Sequence, residues 1–215
     1  MTIGDIKATD DGLMRRTRTQ DRKEARRQHL LDVARALFYE KGFSATSIDD
    51  IIRRAGGAVG TIYLYFGSKL ALFEAVIRDE AAKFSCRVAT ALDMATEKNL
   101  SLEEAAEKLV GAATDEEAIG LLRLVIAEGQ RYPIIREIYR EILAGIHQDV
   151  RMLIRRSEFC RGQVLSVESV DLILTTQIAD AQLSLLTGVS ENGAGPAQAC
   201  EVRKGILQML VVQKN

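Results

Sequence analysis

Apolar residues recur along the chain at three- and four-residue spacing almost throughout, and turn signals are sparse, the pattern of an all-helical protein. No strand is predicted. Asp21 is placed to open a first helix that runs through Glu40, with an apolar stripe of Leu30, Ala34, Leu37 and Phe38 and a stop at Gly42. A second helix is expected to begin at Thr46, where TSID fits a capping box with Asp49 three residues on. Ile48, Ile51, Ile52 and Ala55 give this helix one apolar face, and Gly56 and Gly57 end it. A very short third helix fits Ala58 to Tyr65, and Ser68 is placed to cap a fourth that runs toward Cys86 or beyond. Beyond Asn99, helices are predicted over 101–113, 115–130, 133–159, 166–187 and 196–212. Asn99-Leu-Ser, Pro133, Arg161-Gly-Gln and the linker Glu191-Asn-Gly-Ala-Gly-Pro mark breaks between them.

Composition adds that the chain is an ordinary soluble globular protein. Its 215 residues are 47% apolar and 27% charged, which suffices for a real core in one large domain or two small ones. The opening MTIGDIKATDDG lacks the basic-then-apolar order of a signal peptide, and no uninterrupted apolar stretch is long enough to span a bilayer, so a cytoplasmic protein is expected. Cys86, Cys160 and Cys200 are odd in number and far apart, which suggests packing residues rather than a disulfide framework or a zinc site. The net charge of -1 conceals an uneven distribution. Arg15, Arg16, Arg18, Arg22, Lys23, Arg26 and Arg27 face only Asp21 and Glu24 nearby, whereas Glu103 to Glu117 is acidic.

The basic segment precedes AGGAVGTIYLYFGSK, residues 55 to 69, in which glycines, aromatics and a lysine crowd together. Such a group suits phosphate, since glycines let backbone N–H groups approach an anion and tyrosine hydroxyls also donate to one. A nucleotide loop is excluded by spacing: Gly56, Gly57 and Gly60 match neither GxxxxGK followed by Ser or Thr nor GxGxxG, and a helix rather than a strand precedes them. Helix, glycine turn and short helix instead suit a helix-turn-helix, whose second helix enters the major groove of DNA.

The run LFYEKGFSATSIDDIIRRAGGAVGTIYLYFGSKLALFEAV, residues 37 to 76, closely resembles the N-terminal DNA-binding domain of the tetracycline-repressor (TetR) family of bacterial transcription regulators. A second, weaker likeness is LLRLVIAEGQRYPIIREIYRE, similar to a segment in one branch of that family. The resemblance implies an all-α fold: an N-terminal three-helix helix-turn-helix domain, then a larger helical domain that binds a small molecule and dimerises through its last two long helices. It also places Thr46 and Ser47 at a phosphate contact, Ala58, Val59, Thr61 and Leu64 on the recognition helix, and Tyr63, Tyr65 and Lys69 at backbone-contacting positions. Gly60 falls where a side chain would obstruct close approach to DNA. Hydroxyls, ammonium groups and helix N-termini do suit phosphate oxygens, and small or apolar groups suit thymine methyls. Phe66 is expected to pack the small domain. Two departures matter: Gly57 stands where valine is common, so that a core contact is lost and flexibility gained before the recognition helix, and Val59 replaces a frequently polar position.

These readings divide the chain into a flexible basic arm (1–20) with Arg15, Arg16 and Arg18 as DNA contacts, a helix-turn-helix domain (21–67), and a ligand-binding and dimerisation domain (68–215). The helix from Ser169 to Ser190 carries charge only at Asp171 and Asp180, as the centre of a subunit interface requires, and the final helix has a matching apolar stripe. Leu172, Thr176, Ala179, Leu183, Leu207 and Leu210 are the expected dimer contacts. AIGLLRLVIAEGQ, apolar on several faces, is expected in the middle of the ligand domain, with Leu122, Val125 and Glu128 as candidate ligand contacts, although Glu128 also suits pairing with Arg131 or a neighbouring helix. No nucleophile, base and orienting group assemble into a catalytic site, His147 and the cysteines have no metal spacing, and no cofactor is expected. The expectation is a homodimeric regulator, a repressor released from a palindromic double-stranded operator by a small-molecule effector, with no membrane association. The alternative is a small-molecule- or partner-binding protein of the same fold with weak or lost DNA binding, which Gly57 and Val59 make conceivable.

Overall fold

A computed structural model describes the backbone of residues 3–98, 100, 102–156 and 167–188. Among these residues there are eight helices and no strand: α1 (Ile3–Lys41), α2 (Ile48–Ala55), α3 (Val59–Phe66), α4 (Lys69–Glu97), α5 (Leu102–Ala113), α6 (Glu116–Glu128), α7 (Pro133–Arg156) and α8 (Val167–Thr187). The expected helix over 196–212, and with it Leu207 and Leu210, lies outside the described residues.

The chain divides into two compact units, Met1–Val76 and Ile77–Asn215. The division falls inside α4 rather than at the 67/68 junction read from the sequence, and aromatic packing is the reason. Phe73, in the second turn of α4, stacks on Phe43 at 4.4 Å between ring centroids and meets Phe38 edge-on at 5.1 Å, so the start of α4 belongs to the first core. Leu30, Leu31, Ala34, Leu37, Ile51, Ile62, Leu72 and Val76 complete that core. Ser68 accepts from the Ala71 N–H at 3.0 Å and caps α4 as the sequence implies.

Two local expectations shift. The first helix begins at Ile3, not Asp21: no proline interrupts residues 3–20, and Gly12 costs about 1 kcal/mol relative to alanine, too little to end a helix of 39 residues. The segment read as a flexible arm is therefore helical in its backbone, while the side chains of Arg15, Arg16 and Arg18 lie outside the described residues. The second helix is capped by Ser47, one residue later than expected, and the capping box closes on Asp50 rather than Asp49. Two hydroxyls stand side by side here, and the core takes the first.

In the second unit, α8 packs against α5, α6 and α7. Phe84, Val88, Leu92, Leu109, Leu121, Leu124, Ile135, Ile138, Val150 and Leu174 are buried there. Asp115 caps α6 by accepting from the Ala118 N–H at 2.7 Å, and its other oxygen meets Arg87 Nε of α4 at 2.7 Å, which joins a helix end to a neighbouring helix. Cys86 is exposed, contrary to the packing role expected of it.

Replacing Phe73 by alanine should remove the ring that joins α4 to the first core. Loss of a buried aromatic costs about 3–5 kcal/mol, so the first unit should unfold at a markedly lower denaturant concentration in equilibrium unfolding of the full chain.

Candidate nucleic-acid interface and ligand cavity

Residues 47 to 69 form a surface around the short helix α3. Ser47 Oγ accepts from the Asp50 N–H at 3.0 Å and donates to Asp50 Oδ2 at 2.8 Å, while the Ser47 N–H donates to the same oxygen at 3.1 Å. These bonds, the side-chain one foremost, hold the Asp50 carboxyl below its ordinary pKa. Thr46 behaves differently. It is 1% exposed, and its hydroxyl is directed to the carbonyls of Gly42 at 2.8 Å and Leu37 at 3.3 Å, closing the turn after α1. A side chain buried in this way cannot reach a phosphate, so of the two expected hydroxyl contacts only Ser47 stands at the surface.

The turn between α2 and α3 owes its form to two glycines and one arginine. Gly56 and Gly57 have φ of 70° and 101°, left-handed values that side chains disfavour. Arg26 of α1 donates from Nη1 to the Ala55 carbonyl at 3.1 Å and from Nη2 to the Gly56 carbonyl, and His29 Nε2 lies 3.3 Å from the Ala55 carbonyl. A guanidinium thus meets the carbonyl end of α2, where the helix dipole is negative. A Cβ at position 57 would lie 2.6 Å from Arg26 Nη2. Gly57 is therefore outside the helices, and its missing side chain leaves room for the guanidinium. A polar lock stands where the loss of a core contact was expected. Arg54 adds a second tie to α1 through Glu40, at 2.6 Å.

Ile62 anchors α3 from below, fully buried, while the opposite side of the helix faces outward. Leu64 is 83% exposed, Tyr63 52% and Val59 37%; Ala58 and Gly60 are also exposed, and Thr61 and Tyr65 are half-buried. A Cβ added at Gly60 would meet nothing within 4 Å, so its absence serves no contact within the protein. Phe66 is half-buried with the Arg27 guanidinium 5.6 Å from its ring centroid, in keeping with a packing role. Lys69 Nζ sits 4.3 Å from the Phe43 ring centroid, at the start of α4. Arg26 and His29 were not identified from the sequence as parts of this site. Their partners are 29 and 26 residues away, and the only trace was a glycine where a larger residue is common.

The second unit holds a cavity of about 170 Å³ between α4, α5, α7 and α8. Phe84, Val88, Leu109, Leu143, Ile146 and Leu174 supply apolar lining, and polar groups come from Tyr139, His147, Asp171, Thr175 and Gln182. None of Leu122, Val125 or Glu128 lines it. Val125 and Glu128 are buried on α6, which fills the interior rather than bordering the space. Asp171 is 6% exposed and holds two partners: Arg151, with Nε at 2.9 Å and Nη2 at 2.8 Å from Oδ2, and His147, with Nδ1 at 3.3 Å from Oδ1. Burial pushes the Tyr139 phenol pKa up. Leu172 and Leu183 of α8 are 67% and 58% exposed, Thr176 is also exposed, and Ala179 is both exposed and part of the cavity wall.

Residues 30–76 match the family model described as bacterial regulatory proteins, tetR family. The chain is 39% identical over 75 residues to the transcriptional repressor KstR2 of Rhodococcus jostii, covering 33% of this chain and 37% of the relative. It thus spans about a third of the length of the curated relatives it matches. Among solved structures, a TetR-family transcriptional regulator from Mesorhizobium loti superposes with a TM-score of 0.71 at 20% identity, over 88% of this chain and 96% of that one. A transcriptional regulator from Saccharomonospora viridis, solved in complex with choline, gives 0.65 at 20% identity, over 85% and 95%. Residues 30–76 thus resemble the tetR family of bacterial regulatory proteins, and the chain shares the fold of these solved structures.

Proposed function

We propose that this protein is a cytoplasmic, homodimeric transcriptional regulator that binds a palindromic operator through α3 and releases it when a small molecule enters the cavity of the second unit. The observation that carries the reading is the exposed surface of α3, with Val59, Tyr63 and Leu64 outward and Ile62 fixed in the core. A helix held from one side and bare on the other is what insertion into a major groove requires. Ser47, Tyr63, Tyr65 and Lys69 then face the phosphates, and Ala58, Val59, Thr61 and Leu64 the base edges, with Gly60 permitting close approach. Arg15, Arg16 and Arg18 extend the contact from α1. Repression is favoured by the likeness to the repressor KstR2, and a small-molecule ligand by the choline complex of the Saccharomonospora viridis protein. The reading assigns no catalytic step. Among the described residues, no helix is long and apolar enough to cross a membrane.

A dimer supplies the second recognition helix, since two motifs about 34–36 Å apart meet successive major grooves. Leu172, Thr176, Ala179 and Leu183 recur at four- and three-residue spacing on α8, and the large exposure of both leucines within a single chain marks a face suited to a second copy.

Titration of the purified protein against DNA from upstream of its own gene, at several salt concentrations, tests the function. Binding well above that to random duplex, weakening steeply with salt, is the expected result; equal affinity for both would reject an operator reader. Lys69→Ala should weaken binding across operator variants and reduce the salt slope by about one unit, because one phosphate contact is lost.

Arg26→Met should behave in a contrasting way. Arg26 serves the turn and not a phosphate in this reading, so affinity should fall while the salt slope stays that of the unaltered protein. A slope reduced by about one unit would instead assign Arg26 to the DNA backbone.

Leu183→Arg should yield folded monomers with little operator affinity, since a charge buried in the interface without a partner costs several kcal/mol, about 3–5 for a broken buried pair. Sedimentation velocity and a parallel operator titration check it. A monomer that retained full affinity would separate dimerisation from DNA binding.

A further inference from the structure

The cavity of the second unit combines a small volume with one polar wall, and the bonds within that wall restrict which head groups it accepts. The inference rests on the regulator reading, in which this cavity is the effector site, and goes further by naming the chemistry of the effector. An apolar protein cavity of about 150 Å³ accepts a benzene molecule, so one of about 170 Å³ admits a single substituted ring or a short branched chain. Phe84, Val88, Leu109, Leu143, Ile146 and Leu174 offer such a body no hydrogen bond.

The polar wall is already balanced in charge. The Asp171 carboxylate is offset by the Arg151 guanidinium at 2.8 Å, and its second oxygen faces His147 Nδ1. A cationic head would find this carboxylate engaged at both oxygens. An anionic head would be brought near Asp171 in a largely apolar space, where an uncompensated like charge is costly. Tyr139, its pKa raised by burial, adds no charge. His147 turns Nδ1 to the Asp171 carboxylate at 3.3 Å, which leaves Nε2 as its second polar atom. Thr175 donates its proton to the Asp171 carbonyl at 2.8 Å, and Gln182 Nε2 donates to the Ala113 carbonyl at 3.0 Å, which leaves acceptor oxygens on both. The Tyr139 hydroxyl and the second amide proton of Gln182 are donors on the same wall, which therefore suits a neutral head that both donates and accepts, as a hydroxyl does.

We propose that the effector cavity selects a small neutral molecule of one ring or a short chain bearing a hydroxyl, a phenol or alcohol, whose hydroxyl hydrogen-bonds to His147 on the polar wall.

Isothermal titration of the full-length protein with p-cresol, toluene, benzoate and benzyltrimethylammonium tests the assignment. The p-cresol should bind about tenfold tighter than toluene, the worth of one net hydrogen bond, and tighter than either charged probe. His147→Phe should bring p-cresol and toluene to equal affinity while toluene binding is kept. Should that variant fail to fold, the probe series on the unaltered protein decides alone, and Ile178→Trp, which fills the cavity, should abolish binding of both neutral probes. Tighter binding of benzoate or of the ammonium, equal affinity of p-cresol and toluene in the unaltered protein, or no binding of any probe would overturn the proposal. An operator titration of the same preparation keeps the two readings apart. A protein that binds DNA and shows one of those overturning results rejects the head-group chemistry alone, whereas one that binds no DNA rejects the regulator reading.

Discussion

A helix that ends beneath another helix leaves carbonyl oxygens without amide partners, and the first unit depends on how that deficit is met at the end of α2. The chain must turn sharply there to start α3, so the last carbonyls cannot continue into a helical ladder. Arg26 reaches across from α1 and donates to the carbonyls of Ala55 and Gly56, with His29 beside it. Because the donors come from α1, the direction in which α3 leaves the turn is referred to the longest helix of the unit rather than to the turn alone. Ile62 then fixes the rotation of α3 about its axis. The outward placement of Val59, Tyr63 and Leu64 follows from those two constraints.

Polar groups are used differently in the two units. In the first, hydroxyls and cations close turns and helix ends: Thr46 after α1, Ser47 before α2, Arg26 after it and Ser68 before α4. In the second, the same economy holds at Asp115, but at the cavity wall Asp171 takes both His147 and Arg151 as partners. The buried Asp171 carboxylate is tolerated there because Arg151 offsets its charge and both oxygens have a partner.

Much of this architecture was legible from periodicity. The helices from α2 to α8 begin within a few residues of where apolar spacing, Pro133 and the glycines placed them, and all but α4 and α7 also end there, since long stripes and breakers act locally. What was missed needed information from outside the element concerned. Thr46 and Ser47 are adjacent hydroxyls, and only the packing of the α1–α2 turn decides which is buried. α6 was correctly read as central, but a helix apolar on several faces fills the interior, and the void formed instead where α4, α5, α7 and α8 fail to close. The start of α1 was misplaced because a good cap at Asp21 does not end a helix that already exists upstream. The link between Arg26 and Gly57 spans about thirty residues and leaves no local pattern at either end.

That link also bears on how the sequence can drift. The guanidinium occupies the space a side chain at position 57 would need, so the two sites are epistatic: a side chain at 57 would displace the guanidinium from the carbonyls it caps. A lineage that acquires a larger residue at 57 must first shorten or redirect residue 26, and the intermediate has an uncapped helix end at the base of α3. Paths in the opposite order begin with a steric clash and a strained φ. Homologues should therefore fall into two discrete classes at this pair, an arginine with a glycine or a shorter residue with a larger one, and the mixed states should be rare.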